Sequence, residues 1–156
     1  MDRGVDFIYW LDADITVESL GGSVEALRML HEAIRGEGVG IVSGLFPAKN
    51  SRRPCAYVWN SGSGRYDLMD YGDFSDGLRM VDAVGMGCVL MKAEIFGRLD
   101  PPWFKCDDEY EDYGEDIGFC RRAKEAGFGI VVHPGVVLGH LGIFKLTVEG
   151  ALEKPM

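Results

Sequence analysis

No apolar run in the 156 residues is long enough to span a bilayer, and the opening Met1-Asp2-Arg3-Gly4 lacks the apolar core of a secretory signal. A cytoplasmic protein without a transmembrane segment is therefore expected. Cysteine is sparse, and Cys55, Cys88, Cys106 and Cys120 form no C-x-x-C pair. That excludes a zinc knuckle and a dense disulfide framework and leaves reduced thiols as the expectation. Basic charge is short as well: 16 Lys and Arg stand against 25 Asp and Glu, a formal net charge of -9. Such a surface repels phosphate backbones and anionic lipid, so nucleic acid is not an expected partner. A phosphate-bearing ligand would need a metal ion or a local basic patch as intermediary.

Core material, by contrast, is ample. Hydrophobic residues make up 47% of the chain and aromatic residues 11%, which rules out a disordered segment. The length fits one domain. The 22 glycines follow no repeat period and read as tight turns and close backbone approaches.

Residues 5–11 (V-D-F-I-Y-W-L) form a nearly continuous apolar run ending in Asp12-Ala13-Asp14, the pattern of a strand buried on both faces in a parallel sheet. Leu20, Val24, Leu27, Leu30 and Ile34 then recur at helical spacing, and Gly36 and Gly38 stop the helix. Residues 40–46 (G-I-V-S-G-L-F) read as a second strand. Strand, helix, strand predicts an α/β fold with a mixed, mostly parallel sheet flanked by helices. Residues 47–77 read as a long excursion with one hairpin, of the kind that carries binding loops. Strand character returns over 78–84 and 88–91, a short helix is predicted over 92–99 and a longer one over 115–126. Residues 128–132 and 136–138 read as strands separated by His133-Pro134-Gly135, and residues 145–156 as a tail without pattern.

Four constellations could carry chemistry. Asp12 and Asp14 end a strand, the place where open α/β sheets bind ligands, and paired carboxylates there suit a hard divalent cation or ligand hydroxyls. The same pair also reads as solvated turn aspartates or a helix cap. Residues 107–116 (D-D-E-Y-E-D-Y-G-E-D) do not fit an EF-hand, because Asp112 stands where the loop glycine belongs. Within them Glu115 and Asp116 fall in a first helical turn, where the helix dipole orients a carboxylate and suits it to act as a general base. His140, between Gly139 and Gly142, adds an imidazole to the carboxylates for a manganese-type site, or is a satisfied turn histidine. Asp82 and the Gly85-Met86-Gly87 loop read as a strand end that a ligand can approach, or as a bulge. Trp103, beside Phe104, is either core or an aromatic face for a sugar ring.

In order, D-A-D, G-I-V-S-G-L-F, V-D-A-V-G-M-G-C-V-L-M, P-P-W-F, G-E-D-I-G-F-C-R-R-A-K-E-A-G and L-G-H-L-G resemble a family 2-type glycosyltransferase of the GT-A fold over residues 5–142. The resemblance implies that Asp14, His140 and Asp12 hold Mn²⁺ or Mg²⁺ with the diphosphate of a nucleotide-sugar. It further implies that Glu115 and Asp116 supply the catalytic base. Asp82, Gly85, Met86, Gly87 and Trp103, with Asp12, would face donor and acceptor. The partners implied are a nucleotide-sugar donor and a glycan or other hydroxyl acceptor. Only eleven residues precede Asp12, so residues 1–144 correspond to the carboxyl-terminal part of such an enzyme, without its nucleotide-binding strands. Self-association, or a separate chain supplying those strands, is then expected. The competing expectation is a non-catalytic sugar- or partner-binding remnant. Arg52 and Arg53 are candidates for phosphate contact, or solvated loop cations.

Overall fold

The computed structural model describes residues 4–19, 21–49, 51–75, 77–106 and 113–142. Leu20, the acidic residues 107–112 and the 145–156 tail lie outside the described residues.

The chain runs β1 (Phe7–Leu11), β2 (Ile15–Val17), α1 (Gly22–Ala33), β3 (Val39–Leu45), β4 (Ala56–Asn60) and β5 (Arg65–Leu68). A 3-10 turn (Tyr71–Phe74) leads to β6 (Arg79–Val81), β7 (Ala83–Val84), β8 (Cys88–Lys92), α2 (Glu94–Arg98), α3 (Glu115–Glu125) and β9 (Gly129–His140). A six-stranded sheet has the order β1-β8-β3-β9-β2, with β6 also on β9, and a three-stranded sheet has the order β5-β4-β7. Among the described residues no helix is long and apolar enough to cross a membrane.

The α/β class holds, but the mostly parallel sheet does not. Among the described residues only β3 with β9 is parallel in the large sheet; β1–β8, β3–β8, β2–β9 and β6–β9 are antiparallel. β1 and β3, joined through α1, do run in one direction, because each pairs antiparallel with β8, which lies between them. A strand arriving later in the sequence has been inserted into the expected unit. Apolar content reports burial and says nothing about strand direction.

Burial on both faces is real for the central strands. Ile41, Val89, Met91, Ile130 and Val132 pack toward α2, α3 and the small sheet, while their neighbours Val42, Cys88, Leu90 and Val131 pack toward α1. The two-residue period thus fills two cores from one sheet. β1 is different: it ends the sheet, half-buried, and Trp10 and Leu11 are exposed.

Of three further expectations, two change and one holds. α1 buries Ala26, Leu30, Ala33 and its cap residue Ile34, whereas Val24 is 83% exposed. The helix turns its alanines to the sheet, since small side chains allow the closest approach. The excursion does contain the β4–β5 hairpin. Residues 128–138, predicted as two strands, form the single strand β9, and Pro134 sits at a shift of register between Gly44 and Leu45 on β3. There the Gly135 N–H donates to His133 Nδ1 at 3.1 Å, which absorbs the extra residues as a bulge instead of a break.

Candidate functional site

The D-A-D segment is a tight turn between β1 and β2, closed by Ile15 N–H to Asp12 O at 3.2 Å. It is pinned on both sides. Asp12 N–H donates to Gly87 O at 2.9 Å, and Leu141 N–H donates to Asp14 O at 2.8 Å. The turn therefore joins the Gly85-Met86-Gly87 loop to the end of β9, and its two carboxylates serve two different places.

Asp12 faces a cleft of about 330 Å³ lined by Trp10, Asp12, Met86, Phe104, Glu115 and Asp116. Trp10 and Asp12, two residues apart on an extended chain, share a side, and Trp10 Nε1 donates to Asp12 Oδ1 at 2.8 Å. Opposite them, α3 begins after Gly114 and places Glu115 and Asp116 in its first turn. Ile117 N–H donates to Asp116 Oδ1 at 2.8 Å. Burial pushes the Asp116 carboxyl above the usual range, and the charges of Glu115 and Asp12 add to it, against the Ile117 bond. Gly85 is required here: a Cβ at that position would lie 2.5 Å from Cys55 Sγ and 3.5 Å from Asp116 Oδ2.

Asp14 turns away to His140, with His140 Nε2 3.4 Å from Asp14 Oδ2. Lys49 Nζ approaches the same oxygen at 3.2 Å. That hydrogen bond is the main reason the Asp14 carboxyl sits below its usual range, helped by the charges of Lys49 and His140. His140 Nδ1 lies 3.0 Å from Pro47 O, which can only accept, so the ring proton is on Nδ1. Nε2 is the ring atom turned to Asp14 Oδ2, so the pair meets either through a proton on Nε2 or through a cation that both atoms ligate, with Lys49 beside the same oxygen.

Asp82 and Trp103 are not brought to the cleft. Asp82 sits where the chain leaves the large sheet at β6 and enters the small one at β7. Its N–H donates to Tyr57 O at 2.8 Å, its carboxylate accepts from Trp59 N–H at 2.7 Å, and it pairs with Lys124. Asp82→Ala is expected to lower unfolding free energy by about 1–3 kcal/mol, read from a denaturant midpoint, through loss of the Trp59 acceptor. Ligand binding in the cleft is expected to stay within twofold of the parent. Trp103 Nε1 donates to Phe96 O and Leu99 O, which fixes the ring behind α2. Arg53 is held by Leu68 O, Met69 O and Asp70, while Arg52 is exposed.

Sequence reasoning missed Trp10 and Lys49 as site residues. W-x-D at a strand end was a readable sign for Trp10, given the two-residue period. Nothing local ties Lys49 to Asp14, because that contact depends on the loop after β3. Among the described residues, no three carboxylate, imidazole or thiol groups cluster closely enough to hold a metal ion.

The fold and site define a mixed α/β domain with an acidic, aromatic-walled cleft beside a carboxylate–imidazole pair. No protein-family model matches the chain, and no curated protein matches it. Among solved structures it shares its fold with A197 from STIV, with a TM-score of 0.59 and 19% identity over 94% of this chain. The match spans 64% of A197.

Proposed function

We propose that the chain acts as a metal-dependent glycosyltransferase. It would move a sugar from a nucleotide-sugar to an acceptor hydroxyl, with inversion and with Asp116 as base. The observation that carries this reading is the pairing of two differently equipped carboxylate sites on one three-residue turn. Asp14 and His140 offer two ligand atoms to a cation, and Asp12 lines the same cleft as the α3 carboxylates. Two protein ligands fit Mg²⁺ or Mn²⁺, which take their other positions from water and substrate phosphate. A bound Mn²⁺ or Mg²⁺ would neutralise charge developing on the leaving diphosphate. Lys49, exposed beside Asp14, is placed to contact the same phosphates.

Asp116 has one oxygen occupied by Ile117 N–H, which leaves Oδ2 to take a proton. The acceptor oxygen attacks the anomeric carbon as the bond to the diphosphate breaks, and its proton passes to Asp116 Oδ2. An elevated pKa suits this role, because a base works best when its pKa lies nearer the working pH.

The test is sugar release or transfer from a panel of nucleotide-sugars with manganese. Turnover should stop on chelation, and Asp14→Asn and His140→Ala should each weaken manganese binding at least about tenfold. Turnover indifferent to chelation would overturn the metal assignment. Absence of turnover with every donor would favour the second reading, a non-catalytic sugar- or partner-binding module. That reading is supported by the lack of a third metal-ligating group among the described residues.

A further inference from the structure

The cleft at Asp116 carries a chemical bias of its own. Of the six described residues that line it, three are carboxylates (Asp12, Glu115 and Asp116), two are aromatic (Trp10 and Phe104), one is the thioether Met86, and none is a cation. Among the described cations, Lys49 pairs with Asp14, Lys124 with Asp82, and Arg122 donates to the Trp103 carbonyl. The aromatic wall is a built surface. Trp10 and Phe104 lie 5.7 Å apart, and Phe104 stacks at 4.5 Å on Phe119, which is fully buried.

A neutral ligand seated here would offer the three carboxylates only uncharged donors, which leave their charge in place, whereas charge-assisted hydrogen bonds are roughly twice as strong. A small hydrated metal ion would gain nothing from the rings or the thioether, since hard cations take oxygen ligands. An organic ammonium uses both halves of the wall. It offers N–H donors to carboxylates and a weakly hydrated positive charge to aromatic rings. The cleft volume, about 330 Å³, is at the small end of ligand pockets and matches a single sugar ring.

We propose that the acceptor taken by this cleft carries a protonated amine beside the hydroxyl it offers, with Glu115 and Asp12 holding the ammonium and Trp10 and Phe104 packing on the adjoining ring. This rests on the transferase reading for the word acceptor, because a hydroxyl deprotonated by Asp116 must sit among these residues. Binding of the amine itself does not depend on turnover. The arrangement also keeps the two substrates apart by charge: the anionic donor belongs with Lys49 and the Asp14–His140 pair, the cationic acceptor with the α3 carboxylates.

The test titrates the chain, without donor, with glucosamine, N-acetylglucosamine and glucose below the pKa of the glucosamine amine, reading amide chemical shifts and calorimetric Kd. Acetylation removes the charge and keeps the ring. Glucosamine is expected to bind roughly tenfold tighter than either neutral sugar, the equivalent of about 1.4 kcal/mol. Glu115→Gln should erase that preference, while Glu37→Gln, an exposed acid outside the cleft, should leave it intact. Equal affinities, no measurable binding of any of the three, or a preference that survives Glu115→Gln would overturn the proposal. A transfer assay separates the two readings. Transfer to neutral and amino sugars alike sinks the amine and keeps the transferase, whereas selective glucosamine binding with no transfer to any acceptor does the reverse.

Discussion

Asp116→Asn is expected to lower turnover about a thousandfold, within the range found for loss of a general base, while donor affinity changes less than about twofold. The amide keeps an oxygen for Ile117 N–H, so the start of α3 is preserved and only the proton acceptor is lost. A parallel loss of donor binding and turnover would assign Asp116 to the metal or to structure. The same variant carries a second expectation, in stability. The folded-state pKa of Asp116 is raised, chiefly by burial, so its contribution to stability is fully present below about pH 3.8 and is lost as pH rises through the elevated folded value. At neutral pH the ionised group therefore costs stability, and the neutral amide removes that cost. Asp116→Asn should melt at a higher temperature than the parent near pH 7, and the advantage should shrink to nothing in acid. An inactive variant that is also less stable at pH 7 would mean that the carboxylate is a structural partner.

The largest loss of stability is expected at Phe119. It is fully buried on α3, stacked on Phe104 and 5.5 Å from Phe96, whose ring also meets Trp103. Phe119→Ala should lower unfolding free energy by about 3–5 kcal/mol, and Phe119→Leu by clearly less, as read from urea midpoints at unchanged slope. Because Phe104 forms part of the cleft wall, the alanine variant should also weaken cleft ligands under conditions where it remains folded. Unchanged ligand affinity would show that Phe104 holds its position without the ring beneath it.

Much of this architecture was legible in short stretches of sequence. Residues 5–11 and 40–46 became β1 and β3, and the G-E-D opening of α3 fell where Gly114 and two acidic residues place a helix start. The D-A-D turn and the L-G-H end of β9 were visible as separate signals; no local rule pairs them, and the meeting of Asp14 and His140, 3.4 Å apart, was expected from the family resemblance alone. The direction of the sheet was misread because β8 enters between β1 and β3 from far along the chain. Asp82 was read as facing a ligand and lies between the two sheets, bonded to Trp59 N–H and Lys124, a place no local pattern announces. Leu30 and Ile34 are core as their spacing suggested, whereas Val24 and Leu27, read with them as one face, are exposed, and Ala26 and Ala33 pack on the sheet in their place.

β9 is where the site acquires its timing. Ser19, just after β2, bonds with Val137 across 118 residues, and β2 finds its ladder only on the last residues of β9. Contacts that distant must wait for a large loop to close, which makes them late and slow to form. A growing chain can thus complete the β4–β5 hairpin and turn α1 while Asp14 still lacks His140. Without β9 the strands β2, β3 and β6 lose a ladder partner and both cores lose side chains, so a chain stopped before it lacks the paired site and the sheet that would hold it.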